Sequence, residues 1–528
     1  MEKYVIAVDV GTQSLRACLL NQNGENIEYV EKRYTTPFIS TEEGFAEVEP
    51  DFYVNYLIEV LRTITERHPD KIDSILALSV VTIRDTVVFL ENTSKDKAKP
   101  KYEPVYNIIH WADQRATSQK FIHFPFWLKA ALKVIGLYRS VFRIATVGKT
   151  NWMRENKKDL WAKTDKVSLL SAYMNYRLTD NLVETRSCLL GHLPFNSKKG
   201  EWDKKGSIHS YIFPDTVDKM VPLIDQNEIV GHLTEKMAKL TGLREGLKVY
   251  SPGTDKALEQ VGQGAIHSTD VSLSFGSAAS VEMVSDHYFE AERFIPLYRS
   301  ALPGLYTPDY QIYRGYWMLN WFAHEFAFER EWKLAEDSGD SIESHLDDLL
   351  DHTPSTNNGL YMLPYWGEGI KTVGARGALI GFNDTHTRAH IYRAFIEGIN
   401  YELYEGYMRI KRRGHLPEPT VAYISGGGAK SDKICQMTAD MFGLNVVRGS
   451  FRDASLLGAG IAAFVYENEY NSFEAACEKM IDNSTASVFT PDKATHKLYK
   501  DFYDHIYKGS LSSLYKRFLR IDDRFTKA

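Results

Sequence analysis

The strongest constraint on how this chain can fold is a strand–turn–strand pattern that opens it and returns past its middle. Tyr4–Val8 and Leu15–Asn21 are short, β-rich runs, and Gly11-Thr12-Gln13-Ser14 between them is turn chemistry. Ile27–Tyr34 adds a third run after a second turn around Gly24. Far downstream, Val271–Phe275 and Ser280–Val284 form another pair of strands about a Gly276-Ser277 turn. Hairpin-linked strands at the head of each half rule out a strictly alternating βαβ chain and predict mixed α/β.

The rest of the pattern fills in two similar halves. Pro50–Glu66 places Phe52, Tyr56, Leu57, Val60 and Leu61 at helical spacing, and Ile75–Val81 and Thr86–Leu90 return to strand character. From Trp111 to Leu247 the chain is helix-rich, with a strand at Lys248–Ser251. Val421–Ser425 reads as a strand, Gly426–Gly428 as a turn and Lys430–Met441 as a helix. A chain of 528 residues exceeds one ordinary core, so we expect two domains, 1–264 and 265–528. Lys95–Lys101 is a solvated hairpin tip. Tyr499, Phe502, Tyr503, Ile506 and Tyr507 predict a packed C-terminal helix over His496–Phe518.

Composition narrows the partners. The formal net charge of −6 provides no basic field of the kind that gathers nucleic acid. Cys18, Cys188, Cys435 and Cys477 form no CxxC pair, which is usage for a reducing compartment. The opening apolar stretch is broken at once by Asp9, and nowhere do 18 apolar residues run without charge. The expectation is a cytoplasmic protein with no membrane span that handles a small anion locally.

Four segments have the composition for chemistry. In Asp9–Arg16 a tight turn with Gly, Thr and Ser can aim N–H and hydroxyl groups at phosphate oxygens, and an acid at the strand end can hold Mg²⁺ through water. A plain hairpin explains the same residues. Ser274–Ala278 is a weaker copy in the other half, and two such turns could pinch a triphosphate between domains. Gly426-Gly427-Gly428 removes every Cβ where a ring or phosphate would lie against backbone. Asp255 opens a helix after Pro252-Gly253-Thr254 and is either an N-cap or a general base toward a hydroxyl. Gly148-Lys149-Thr150 mimics the end of a Walker loop, but Arg143 stands where its first glycine belongs.

Two acid–base clusters, Arg84-Asp85 and Trp111-Ala112-Asp113-Gln114-Arg115, suit a polyol, whose hydroxyls take hydrogen bonds while its carbon face lies on an indole. Surface ion pairs are the plainer account of each. Zinc, hydrolase and dinucleotide motifs are missing from the sequence.

Taken together and in order, these segments resemble the FGGY family of carbohydrate kinases. The likeness adds Gly44-Phe45-Ala46-Glu47, Thr385–Glu397 with Gly398, Gly426–Ser431 and Asp453–Ala459. It implies two actin-like, ribonuclease H-like domains with an interdomain active-site cleft, closing over ATP-Mg²⁺ and a small sugar or polyol. It also implies roles. Thr12, Gln13, Ser14 and Arg16 would form the first phosphate site and Ser277 the second, with Gly428 and Asp432 beside the nucleoside and Asp9 near Mg²⁺. Asp255 matches the catalytic base, and Arg84, Asp85, Trp111, Asp113 and Lys256 fall on the acceptor side.

Thr82-Ile83-Arg84-Asp85-Thr86 looks like the acceptor segment of glycerol kinases, which carries Arg followed by Glu. Here Asp85 is one methylene shorter, Lys256 replaces a Gln, Ser277-Ala278 replaces Thr-Gly and Asp453 stands where Glu is usual. The shorter acid leaves room, so a pentulose or longer polyol is expected over glycerol.

The stretch from Gln114 to Arg154 has no acid and mixes Phe, Trp and Leu with Lys129, Lys133, Arg139 and Arg143. A packed helix with its cations in water is the expectation, and a membrane-surface helix or a homodimer contact is the alternative. A nucleotide-driven protein switch on the same actin-like fold, as in a chaperone-type ATPase, would keep the phosphate turns. It gives no reason for Arg84-Asp85, Trp111–Arg115 and Asp255 to occur together.

Overall fold

A computed structural model describes residues 2–521 except 36, 41, 97, 190, 191 and 368–371. Of the lysine-rich tip, Lys97 lies outside the described residues.

Two six-stranded sheets carry the fold. The first runs Gly231–His232, Lys248–Tyr250, Ile75–Thr82, Tyr4–Val10, Ser14–Asn21, Asn26–Arg33. Tyr4–Val10, Ser14–Asn21 and Asn26–Arg33 form an antiparallel meander. Ile75–Thr82 and then Lys248–Tyr250 add in parallel, and Gly231–His232 closes the edge antiparallel. The second sheet runs Asp309–Ile312, Ala279–Glu282, Asp270–Phe275, Val421–Ser425, Asn445–Arg448, Ser487–Phe489, with the same sequence of antiparallel and parallel pairings. One topology is therefore used twice, as the repeated hairpin predicted.

Strand periodicity sets the layers. Ile6, Val8 and Val10 point into a core shared with Tyr53, Leu57 and Leu61 of the helix Phe52–Arg67. Val5 and Ala7 point the other way, into a core built with Leu457, Ile461 and Phe464 of the helix Ala454–Tyr466. That helix belongs to the second half of the sequence and is apolar nearly all round, as a helix enclosed on every side should be. It crosses the helix Asp255–Gln263 at Gly262 and Gly458, where any Cβ would strike backbone of the other helix.

A smaller sheet of Glu47–Val48, Ile108–Ile109, Val87–Asn92, Tyr102–Pro104 and Lys166–Leu169 flanks the first. The acid-free stretch forms the helices Phe126–Val134, Tyr138–Val147 and Lys149–Asn156. Leu128, Leu132, Val141 and Ala145 pack with Ile212 and Phe213, while Phe126 and Val134 are left more than four-fifths exposed. The C-terminal helix is not continuous: it breaks after Phe502 into a wider turn, Tyr503–Tyr507, and resumes at Ser510–Phe518. Tyr499, Tyr503 and Tyr507 are buried, so the stretch is packed as expected. All four cysteines are buried and unpaired. Among the described residues no helix is long and apolar enough to cross a membrane.

Candidate active site

Parallel pairing brings distant segments to one edge. Val10 lies opposite Thr82, and Thr82 bridges Thr254, so Gly11–Ser14, Ile83–Asp85 and Asp255 all leave the first sheet at its carboxyl end. In the second sheet Ser274 pairs with Ser425 and Ile424 with Arg448, which brings Gly276-Ser277 and Gly426–Gly428 to the same kind of edge. Carboxyl ends of parallel strands are where open α/β sheets hold ligands. Here the two edges meet, stitched by side chains from both halves.

The first turn closes with Gly11 N donating to Ser14 O at 3.0 Å. Gln13 is exposed, Thr12 partly so, and Ser14 is buried. Trp111 donates from Nε1 to Thr12 Oγ1 at 3.0 Å, and its backbone N donates to Thr86 Oγ1 at 3.2 Å. The indole thus spans from the turn to the Arg84-Asp85 segment.

Below the turn, Arg16 bridges the halves, donating from Nη2 to Asp9 and from Nη1 to Asp453. Ser455 Oγ lies 2.9 Å from Asp9 Oδ2 and 2.8 Å from Asp453 Oδ1, its one proton shared between the two carboxyls. Asp9 is fully buried and its Oδ1 has no hydrogen-bond partner among the described residues. Burial, with the charges of Asp453 and Asp255 nearby, pushes its carboxyl up to about 7 against the pull of Arg16.

Asp255 is the first residue of its helix. The cap is Thr254, whose hydroxyl accepts from Ala257 N, so the N-cap explanation of Asp255 is withdrawn. Its Oδ1 is likewise without a hydrogen-bond partner among the described residues. The nearest cation is Arg84, with Nε at 3.9 Å, and Arg84 Nη1 lies 3.6 Å from Asp309 of the second half.

The glycine turn before Asp432 is tight. Gly426 has φ +95°, and a Cβ on Gly428 would stand 2.4 Å from the Tyr316 ring. Asp432 begins the next helix, paired with Arg448 at 2.7 Å. A cavity of about 440 Å³ opens beside it, lined by Leu350, Lys433, Gln436, Met437 and Tyr499 among others.

Comparison with known proteins decides the family. The N-terminal domain model of the FGGY family of carbohydrate kinases matches residues 4–262, and its C-terminal domain model matches 271–466. The chain belongs to the FGGY family of carbohydrate kinases. A xylulose kinase of Bacillus subtilis (strain 168) is 28% identical over 515 residues, covering 96% of each chain. A gluconokinase of the same organism is 25% identical over 492 residues, covering 90% of each. The crystal structure of a gluconate kinase from Lactobacillus acidophilus superposes with a TM-score of 0.81 at 21% identity over 99% of this chain and 100% of that one. A ligand-bound xylulose kinase from the same species gives 0.79 at 22% identity over 98% and 100%. The fold is thus the two-domain actin-like ATPase fold of FGGY kinases, and the activity is ATP-dependent phosphorylation of a carbohydrate.

Within this FGGY kinase the acceptor residues named from sequence do not all converge. Arg84, Asp255 and Trp111 surround the junction. Asp113 does not reach it. Both its oxygens are taken, by Arg115 Nε and Nη2 at 2.7 and 2.8 Å and by Ala46 N at 2.6 Å, and its side chain has no exposure. Arg115 in turn bonds Glu47 at 2.7 Å and lies over both the Phe45 and Trp152 rings. The polyol reading of this pair is corrected to a buried clamp, because an ion pair in sequence does not say which way it faces. Lys256 is also turned aside: its ammonium is 2.6 Å from Glu259, which holds Ser274 and Ser425 of the second half.

Four residues went unread. Lys149 Nζ and His192 Nδ1 lie 3.0 and 2.9 Å from Asp85 Oδ2. Glu282 and Asp309 line the cleft from the second half. Burial, with Asp309 adding and Arg84 opposing, pushes Glu282 up to about 8. Lys149 sits in the Walker-like triplet dismissed above; the loop is indeed absent, yet the lysine serves another purpose. His192 carries no local signal at all.

Proposed function

We propose that this FGGY kinase transfers the terminal phosphoryl group of ATP to a hydroxyl of a pentulose or longer polyol, with Asp255 as general base. The observation that carries this is Oδ1 of Asp255, which has no hydrogen-bond partner among the described residues and lies at the junction of the two sheet edges, 3.9 Å from Arg84 Nε. A carboxylate so held can accept the hydroxyl proton as oxygen attacks phosphorus. The turns at Thr12–Ser14 and Ser277 would take the phosphates from opposite halves, and Gly428 and the cavity beside Asp432 would take the nucleoside. We set the domain boundary at Gly264, the left-handed residue that ends the Asp255 helix.

Mg²⁺ fits the residues present. Asp9 offers one buried, unengaged carboxylate oxygen, and no group of three His, Cys, Asp or Glu side chains among the described residues forms a cage. An ion that keeps its waters and arrives on phosphate needs no more than that. When bound it would neutralise phosphate charge; the protein's part is to position hydroxyl, base and phosphates.

Relatives named xylulose kinase and the shortness of Asp85 support the pentulose-sized acceptor. ADP release from ATP-Mg²⁺ with glycerol, erythritol, xylitol, ribitol, the ribuloses, the xyluloses and common hexoses tests it. Stimulation by one or two members, lost in Asp255→Asn with ATP binding retained, is the expected result. Slow hydrolysis that no acceptor stimulates, or ATP affinity lost together with rate in Asp255→Asn, would overturn it.

A further inference from the structure

Asp85 is the most heavily constrained side chain at the acceptor end. Its backbone is left-handed, with φ +54°, a conformation Asp tolerates but does not prefer. Lys149 Nζ donates both to Asp85 Oδ2 and to Asp85's own carbonyl oxygen, each at 3.0 Å, which ties side chain and backbone at once. His192 Nδ1 meets the same Oδ2 at 2.9 Å. Lys149 is only 7% exposed and starts a helix whose Trp152 packs on the Arg115 clamp, so the ammonium is fixed from behind. Oδ2 is spent on an ammonium and an imidazole. The carboxylate's other oxygen is the one left for a ligand.

The charge balance around it bears on what that ligand can be. The cations around this end are already engaged: Arg84 faces Asp255 and Asp309, Lys149 faces Asp85, Lys256 faces Glu259, and Arg299 donates to the Ser197 and Lys198 carbonyls. Glu282 adds a further carboxyl from the second half. None of these cations is left over to receive an anionic substrate group, while several carboxylates can accept hydrogen bonds from hydroxyls.

We propose that Lys149 and His192 are positioning residues that set Asp85 as the hydrogen-bond acceptor for the acceptor's hydroxyls, and that this acceptor is an uncharged ketose or polyol and not an aldonate. The inference rests on the kinase reading above and deepens it. Relatives in the family carry the names of both kinds of kinase, so membership does not decide the point.

The experiment compares ADP release with the neutral panel and with D-gluconate at equal concentration, then repeats the best acceptor on variants. A neutral acceptor preferred over gluconate is expected. Lys149→Met should raise the acceptor KM by about tenfold or more while the ATP KM stays within about twofold, since a charge-assisted contact is lost at one end of the site only. His192→Gln should raise it less, and Lys149→Arg should recover most of the loss. The double variant Asp85→Asn, Lys149→Met removes both buried charges, so it should melt near the parent yet remain poor in acceptor KM. Gluconate preferred over every neutral acceptor, or an acceptor KM unmoved in Lys149→Met, overturns the proposal. If no acceptor of either charge stimulates turnover, the kinase reading of the site fails first and this one with it.

Discussion

Gly262 and Gly458 form the contact on which the two halves cross. A Cβ on Gly262 would lie 1.8 Å from Ala454 O, and one on Gly458 would lie 1.9 Å from Leu258 O. Both obstacles are backbone, so neither can swing aside. The helices crossing there begin at Asp255 and just after Asp453, and a displacement would move both carboxylates. Gly458→Ala should therefore cost about 3 kcal/mol or more, the upper end of overpacking effects, and lower kcat in the protein that still folds. Thermal melting and steady-state rates check it. A variant that melts and turns over like the parent would show that the crossing is looser than described.

Arg16 supplies the second link between halves, and it holds Asp9 and Asp453 together. Replacing it by Met leaves two buried carboxylates facing each other with Ser455 as their common donor. Breaking such a group by removing one partner commonly costs about 3–5 kcal/mol. Arg16→Met should lose stability of that order and bind ADP-Mg²⁺ at least about tenfold more weakly, because the floor of the proposed phosphate turn would shift. Calorimetric titration of the variant decides; unchanged ADP affinity would confine Arg16 to holding the halves.

How far the sequence reaches depends on the range of the interaction. The paired hairpins, the strand Tyr4–Val10 and the glycine turn before Asp432 were legible because each is written in adjacent residues, by period and turn chemistry. Asp255 was legible as a candidate, but only the structure shows that Thr254 takes the cap and Asp255 does not. Lys149 and Asp85 stand 64 positions apart and meet only in the folded chain. Asp113 failed for a complementary reason. Its neighbours read as a polyol grip, and only the positions of Phe45, Glu47 and Trp152 reveal that the grip is on the protein itself.

That distinction is testable. Arg115 and Asp113 are wholly enclosed, so Arg115→Met should destabilise by about 3–5 kcal/mol through the unpaired Asp113 and Glu47. The fraction that folds should keep the parental acceptor KM, which a substrate-binding residue would not allow. Chemical denaturation and kinetics at low temperature measure the two effects separately. A large rise in acceptor KM at unchanged stability would restore Asp113 and Arg115 to the acceptor site.

The last prediction concerns pH and follows from the forces on Asp85. Burial would raise its carboxyl, but His192 and Lys149 outweigh that and hold it well below the usual carboxylate range. Because the folded value lies below the unfolded one, its stabilisation is present above about pH 4 and fades as acid protonates it. The parent should thus show an acceptor KM that Asp85 leaves flat from about pH 5 to pH 8. His110, Tyr298 and Tyr313 also act on or near this group. His110 does not titrate in that window, since burial and then Lys149 push it down to about 3, and Tyr298 and Tyr313 are raised above their ordinary values. In Lys149→Met, His192→Gln both partners are gone and burial alone acts. Asp85 should then take up a proton at higher pH, and the acceptor KM should climb as the pH falls from about 8 to about 5 while the ATP KM does not. Single removal of Lys149 should give a weaker slope, because His192 Nδ1 still holds Oδ2. A double variant with the parent's flat profile would mean that Asp85 stays ionised without them, and that its place in the fold, not its two partners, keeps it so.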